Sequence, residues 1–338
     1  MEYLDSRAYC QDVKTAVEHI VGFDAFCGKR ILILGASGLI GAFITDCFLY
    51  ANQNLNSKTE LWAVCRNGRH LKERFGSEDG SGLNYMEADV GTMHIEMPFD
   101  YIIHAASYGH PKAFREMPAE VLLSNVTGTQ RALEAAGRKE GCRMLFVSSG
   151  EVQEKVDHLS ARACYPIGKK AAETLCISYM EEYGTDVVIA RPCHTFGANA
   201  SASDNRAATQ FIASAAEGND IEMYSAGEQI RSFSYVADCA SGLLSVLARG
   251  KRGAVYGISA DGCCSVRAFA EQCAAAGGCR VRVHAADNAE KLEASPIARQ
   301  IVSNDELKAL GWQPAFSIDE GIARTIKIRK EMNGMREI

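Results

Sequence analysis

Tyr165 and Lys169 stand four residues apart, a spacing that sets two side chains on one face of a helix. A phenol with a pKa of about 10 is a poor base at neutral pH, but a neighbouring ammonium favours its phenolate. The chemistry expected of this pair is removal of a proton from a secondary alcohol, with the lysine also able to reach a nicotinamide ribose. Ser148 and Ser149 follow the apolar run Met144 to Val147, and Ser149 is placed to hydrogen-bond the same alcohol. Glu151, two residues further on, adds a carboxylate that can serve as acid or base where it is partly buried.

Such a set needs a hydride acceptor, and the chain offers a place for one. Gly35-Ala36-Ser37-Gly38-Leu39-Ile40-Gly41 follows the unalternated run Ile31-Leu32-Ile33-Leu34. Gly35 ends the strand, Gly38 lets a pyrophosphate approach the backbone, and Gly41 lets the next helix pack on the sheet. Gly35, Ser37, Gly38, Leu39, Ile40 and Gly41 are therefore candidate dinucleotide contacts. Arg66 and Asn67 stand at the end of the second apolar run, where an acidic residue would select NAD through the ribose hydroxyls. A guanidinium there can hold a 2′-phosphate or stack on adenine, so NAD is expected with NADP left open. Asp89, followed by Val90, is placed to accept from the adenine amino group. Ala105, Ala106 and Ser107 are small enough to let the backbone pass beside the cofactor.

The elements that must position these groups read as buried parallel strands at Ile31–Leu34, Leu61–Cys65, Tyr101–His104, Met144–Ser148 and Val187–Ala190,. Helical patterns separate them, including Val121–Lys139 and Lys169–Glu182. Strand and helix alternating in this way predict an α/β fold, a Rossmann-type doubly wound parallel sheet with its ligand at the carboxyl ends of the strands. After Pro192 the pattern turns irregular, with the polar stretch Asn199 to Arg206. We divide the chain into an N-terminal extension (1–27), a dinucleotide-binding domain carrying the catalytic residues (28–192), and a smaller discontinuous substrate lobe (193–330) that partly returns to the sheet.

Composition narrows the class. The 338 residues, 47% of them apolar, can fill one large core or two packed domains,. Thirteen cysteines lack both a CxxC pair and metal-ligand spacing, which fits a reducing compartment and predicts no metal. A formal charge of −6 disfavours nucleic acid,. The polar opening lacks the form of a signal peptide. The most apolar run, Ile31 to Ile44, is too short and glycine-broken to span a bilayer, so a soluble cytoplasmic protein is expected.

Taken together, these motifs resemble the extended short-chain dehydrogenase/reductase superfamily of nucleotide-sugar enzymes, and most closely its UDP-glucuronate decarboxylase branch. The resemblance covers residues 28 to 330. It rests on the glycine turn, His104-Ala105-Ala106-Ser107, Ser124-Asn125-Val126-Thr127-Gly128-Thr129, Ser148-Ser149-Gly150-Glu151-Val152, Tyr165 with Gly168-Lys169-Lys170, Arg191-Pro192-Cys193-His194 and Arg231-Ser232-Phe233-Ser234-Tyr235. It implies that Tyr165 is the base, Lys169 its partner, and Ser149 the hydroxyl sharing the reacting oxygen. It adds Asn125, Ser148 and Pro192 to the cofactor side, and Tyr108, His194, Arg206 and Arg231 to Ser149 and Glu151 on the nucleotide-sugar side. It further implies a UDP-linked substrate, retained NAD, and a homodimer built on two helices per subunit. Three outcomes of C4 oxidation are compatible with the fold: decarboxylation, 4-epimerisation and 4,6-dehydration. Dehydratases carry an aspartate where this chain has Gly150, and an epimerase leaves Glu151 without a task, so the decarboxylase pattern fits best. A silent nucleotide-binding scaffold is the non-enzymatic alternative.

Overall fold

Arg30–Leu34 is a run of aliphatic side chains after a basic residue, and its last four residues are buried. A strand covered on both faces needs this composition, and it forms the centre of the sheet. The structure, a computed structural model, describes residues 3–76, 81–201, 204–284 and 297–336. Ala202 and Ser203, part of the polar stretch noted above, lie outside the described residues.

In chain order the elements are α1 (Arg7–Glu18), β1 (Arg30–Leu34), α2 (Leu39–Leu55), β2 (Glu60–Cys65), α3 (Gly68–Phe75), β3 (Leu83–Glu87), β4 (Tyr101–His104), α4 (Pro111–Glu116), α5 (Pro118–Ala136), β5 (Arg143–Val147), α6 (Cys164–Tyr183) and β6 (Asp186–Pro192). The strands form one seven-stranded sheet with Val255–Ile258 at one edge, followed in order by β6, β5, β4, β1, β2 and β3. All six pairings are parallel. Winding proceeds outward in both directions from the β1–β4 boundary. A crevice opens at such a switch point, outside the carboxyl ends of the strands.

Val255–Ile258 brings the chain back to the sheet after Pro192, pairing with β6 from Ile189 to Pro192. The remaining residues build α7 (Ala207–Glu217), α8 (Val236–Arg249), α9 (Val266–Gly277) and a C-terminal helix, Ile318–Arg336. Helix α8 is buried continuously from Val236 to Leu247, so it belongs to the main core. Small pairings shape the lobe: His194–Phe196 with Phe233–Tyr235, Ile230–Arg231 with both Cys264–Ser265 and Arg299–Gln300, and Ile221–Met223 with Val281–Val283.

The first 27 residues carry no strand signal, yet α1 is packed into the body. Ser6 caps it by accepting from Tyr9 N at 3.2 Å and donates to Glu331 of the C-terminal helix at 2.7 Å. Its buried Asp12 accepts from Tyr235 Oη at 2.6 Å and pairs with Arg324. Tyr9 donates to Asp46 at 2.6 Å, and Arg74 completes that second buried group. A carboxylate can be buried at tolerable cost when it is paired in this way.

All thirteen cysteines are free thiols. Among the described residues no cluster of potential metal ligands forms, and no helix is long and apolar enough to cross a membrane.

Candidate active site

The glycine turn sits at the carboxyl end of β1. Gly35 adopts φ +86°, and a Cβ there would lie 2.7 Å from the Ala106 backbone. A Cβ at Gly41 would lie 2.3 Å from the Gly35 carbonyl oxygen. Both positions therefore demand glycine, and the small Ala105-Ala106 pair is what lets the β4 loop approach. Gly38 caps α2 without a side chain, leaving the first amides of a 17-residue helix open toward an anion,. These features fit a dinucleotide pyrophosphate, with Ser37, Leu39 and Ile40 on the same turn.

Around that turn the other cofactor candidates have defined local tasks. Asn67 caps α3 by accepting from Arg69 N at 3.0 Å. Asp89 accepts from Gly91 N at 2.8 Å, holding the loop after β3, while Val90 packs against Gly128 of α5. Ser107 donates to the buried Asn125 at 2.9 Å, and Asn125 donates to Val121 O at 2.7 Å. Asn125 thereby ties the β4 loop to α5, near the point where Gly168 lets α6 approach. Arg66 lies over the Tyr108 ring, 4.4 Å from its centroid, and bonds its hydroxyl. Tyr108, which the resemblance places with the substrate, thus meets Arg66, a cofactor candidate.

The reacting groups gather at the ends of β5 and α6. Tyr165 is buried and stacks on Phe114, with centroids 4.8 Å apart. The Arg162 guanidinium covers the same Phe114 ring at 4.7 Å and approaches Glu151 Oε2 at 3.4 Å. Ser149 accepts from Glu151 N at 3.1 Å, and its hydroxyl is close enough to the Tyr165 phenol to favour the phenolate. Tyr165, Ser149 and Glu151 are therefore brought together as the spacing predicts.

Lys169 behaves differently from expectation. Its Nζ donates to the Val147 carbonyl oxygen at 2.8 Å, over the Phe146 ring. Burial pushes this ammonium down to about 7, with Cys176 and Glu173 opposing. The Tyr165 phenol is pushed up to about 12, first by burial and then by the Glu151 carboxylate. Ser149, Arg206 and Arg162 work the other way. The phenol is consequently protonated at neutral pH in this arrangement, and the lysine is anchored to the end of β5 rather than turned toward it. Four-residue spacing put both on one helix, but the buried carbonyl at the strand end claims the ammonium.

Ser148 donates to Glu173 at 2.5 Å, and Glu173 receives a two-pronged bond from Arg191 at 2.9 and 2.7 Å. This group locks α6 to β5 and to β6 just before Pro192. Across the cleft, Arg231 is 4% exposed. It donates to Ile230 O at 2.9 Å and also bonds Ile297 O. Burial lowers its pKa, while Glu154 and Glu151 support its charge. His194 is held neutral near pKa 3, first by burial and then by Arg231 and Arg206. Arg206 is committed to Asp204, through Nε at 3.0 Å and Nη2 at 2.6 Å.

Several contributions to the site had no readable signal. Phe114 acquires its place only through tertiary contacts, and Arg162 and Glu173, which lie in the motif stretches around Tyr165, have partners that the motif does not indicate. Val302 is the most consequential, because a Cβ at Gly150 would come 2.6 Å from its Cγ2. The position that carries an acid in dehydratases is packed here by a side chain about 150 residues downstream.

The model of the NAD dependent epimerase/dehydratase family matches residues 31–259. UDP-glucuronic acid decarboxylase 1 of Xenopus tropicalis is 30% identical over 322 residues, covering 90% of this chain and 73% of that protein. UDP-glucuronic acid decarboxylase 3 of Arabidopsis thaliana is 28% identical, with 88% of each chain covered. Among solved structures, the dTDP-glucose 4,6-dehydratase of Streptomyces venezuelae with NAD bound superposes with a TM-score of 0.75 at 22% identity, covering 90% of this chain and 98% of the other. That likeness shows the shared fold. With the family match covering more than half of its length, the chain belongs to the NAD dependent epimerase/dehydratase family of enzymes.

Proposed function

We propose that the protein decarboxylates UDP-glucuronate to UDP-xylose by transient oxidation at C4. The observation that carries this reading is the end of β5, where Glu151 is kept beside Ser149 and Tyr165 while Val302 fills the space above Gly150. A dehydratase needs a second acid at that point to protonate a departing hydroxyl, and none fits. The sequence relatives named as UDP-glucuronic acid decarboxylases support the same choice.

Bound NAD would supply reversible acceptance of the C4 hydride. The Tyr165 phenol is protonated in the arrangement described above, so it becomes the base when Lys169 Nζ turns from Val147 O toward it and favours the phenolate,. It then takes the C4 hydroxyl proton, with Ser149 holding the same oxygen. The resulting ketone is β to the C6 carboxylate, so carbon dioxide leaves and its bonding electrons form an enolate across C4 and C5. Glu151, or a water it orients, delivers the proton to C5. Tyr165 finally returns its proton to the C4 oxygen as C4 regains the hydride it gave up, which restores the alcohol. Lys169, anchored at the Val147 carbonyl in the arrangement described above, serves the phenol and the nicotinamide ribose once it turns from that carbonyl. Arg231, His194 and Arg206 line the nucleotide-sugar side, with Arg231 meeting the diphosphate.

In this reading residues 193–330 carry mainly the nucleotide-sugar lobe, and the protein works as a cytoplasmic homodimer through α5 and α6. The test is incubation of the purified protein with UDP-glucuronate, monitored for carbon dioxide and UDP-xylose. Stoichiometric release of both is expected. No turnover across a panel of nucleotide uronic acids would overturn the proposal.

A further inference from the structure

Arg66 and Tyr108 come from opposite sides of β1. Arg66 directly follows β2, Tyr108 lies four residues beyond β4, and both strands pair with β1. Their contact therefore passes over the carboxyl end of β1, where the glycine turn begins. The guanidinium lies 4.4 Å from the Tyr108 ring centroid and bonds the hydroxyl oxygen. That hydroxyl donates in turn to Glu120 Oε1 at 2.5 Å, in the first turn of α5. The three form a charge-balanced relay from cation to phenol to carboxylate.

We infer that Tyr108 and Glu120 set the dinucleotide preference by keeping Arg66 occupied. An arginine after β2 would ordinarily favour a 2′-phosphate, because its planar fork matches the phosphate oxygens. Here the guanidinium carbon is held over the Tyr108 ring, and an N–H is used on an oxygen polarised by Glu120. To pair with a 2′-phosphate, Arg66 must leave both partners, whereas NAD with its free ribose hydroxyls asks for no such exchange. Tyr108 and Glu120 are thus specificity-determining residues that act through Arg66. This rests on the reading of the turn as a dinucleotide site.

The test is calorimetric titration of NAD and NADP into the full-length protein stripped of nucleotide, for wild type, Tyr108→Phe, Glu120→Gln, Arg66→Ala and Arg66→Ala/Tyr108→Phe. Tyr108→Phe keeps the ring and removes the oxygen that links the other two side chains. Wild type is expected to bind NAD more tightly than NADP. Tyr108→Phe and Glu120→Gln should each strengthen NADP relative to NAD by about tenfold, the scale of one hydrogen bond to a charged group. That gain should vanish in the double variant, since it requires the freed guanidinium. An unchanged ratio in Tyr108→Phe, a gain that survives loss of Arg66, or a wild type preferring NADP would overturn the inference while leaving the dinucleotide site intact. Binding of neither dinucleotide would overturn the site itself along with it.

Discussion

At the scale of single residues, the account turns on a phenol whose environment is set by its neighbours. Tyr165→Phe should retain bound dinucleotide and lose at least ~100-fold in rate, as general acid–base groups do; retained cofactor is read after denaturation and turnover by UDP-xylose formation. Unchanged turnover would remove Tyr165 from the mechanism. Glu151→Gln, which keeps the shape and Ser149 contact but cannot exchange a proton, should cut decarboxylation by about 100-fold, while a 4-epimerase would tolerate it. Lys169 gives a pH signature of its own. Its folded-state pKa near 7 lies below the ordinary 10.5, so between those values the unfolded chain binds a proton that the folded chain does not. Stability contributed by this site must therefore rise as pH increases from about 7 toward 10.5. Urea melts across that range should show the rise in wild type and lack it in Lys169→Met. Identical pH dependence in the two proteins would mean that the ammonium is not held dry.

At the scale of elements, the glycine turn and the packing of helices on the sheet do the positioning. Gly41→Val should abolish dinucleotide binding and destabilise the fold by about 1–3 kcal/mol, since its Cβ would collide with the Gly35 carbonyl and overpacking has that cost,. Calorimetric titration and a thermal melt check the two parts separately. The turn was legible because it follows four consecutive aliphatic residues, a pattern produced by a strand buried on both faces. Tyr101–His104 matches its observed strand end for end, and the predicted runs at Leu61, Met144 and Val187 lie within one to two residues of theirs. Helix α6 begins at Cys164, five residues before the predicted start. Pro166 hides this start, because a proline in the first turn breaks the apparent pattern without breaking the helix.

At the scale of the whole molecule, the N-terminal and C-terminal segments close the fold together. Asp12 on α1 serves Tyr235 and Arg324 at once. Asp12→Ala should therefore cost about 2 kcal/mol in urea unfolding, because it strands the buried Tyr235 hydroxyl and takes the carboxylate from the partly exposed Arg324,. A loss below about 0.5 kcal/mol would show that α1 is a dispensable addition. None of this was visible in the first 27 residues, whose polar side chains read as an extension until their partners more than 200 residues away are known. The same holds for the active site. Tyr165, Ser149 and Glu151 announced themselves by type and spacing. The anchoring of Lys169 at Val147 and the filling of Gly150 by Val302 depend on packing between distant segments, and local pattern carries no record of it.

The central claim is that the C4 hydride leaves and returns to the same carbon while the C6 carboxylate departs between the two transfers. UDP-glucuronate deuterated at C4 tests it directly, with the product followed by nuclear magnetic resonance. The account predicts UDP-xylose with deuterium retained at C4 and one equivalent of carbon dioxide released. A product that keeps its carboxylate, or UDP-xylose that has lost the C4 deuterium to solvent, would contradict it.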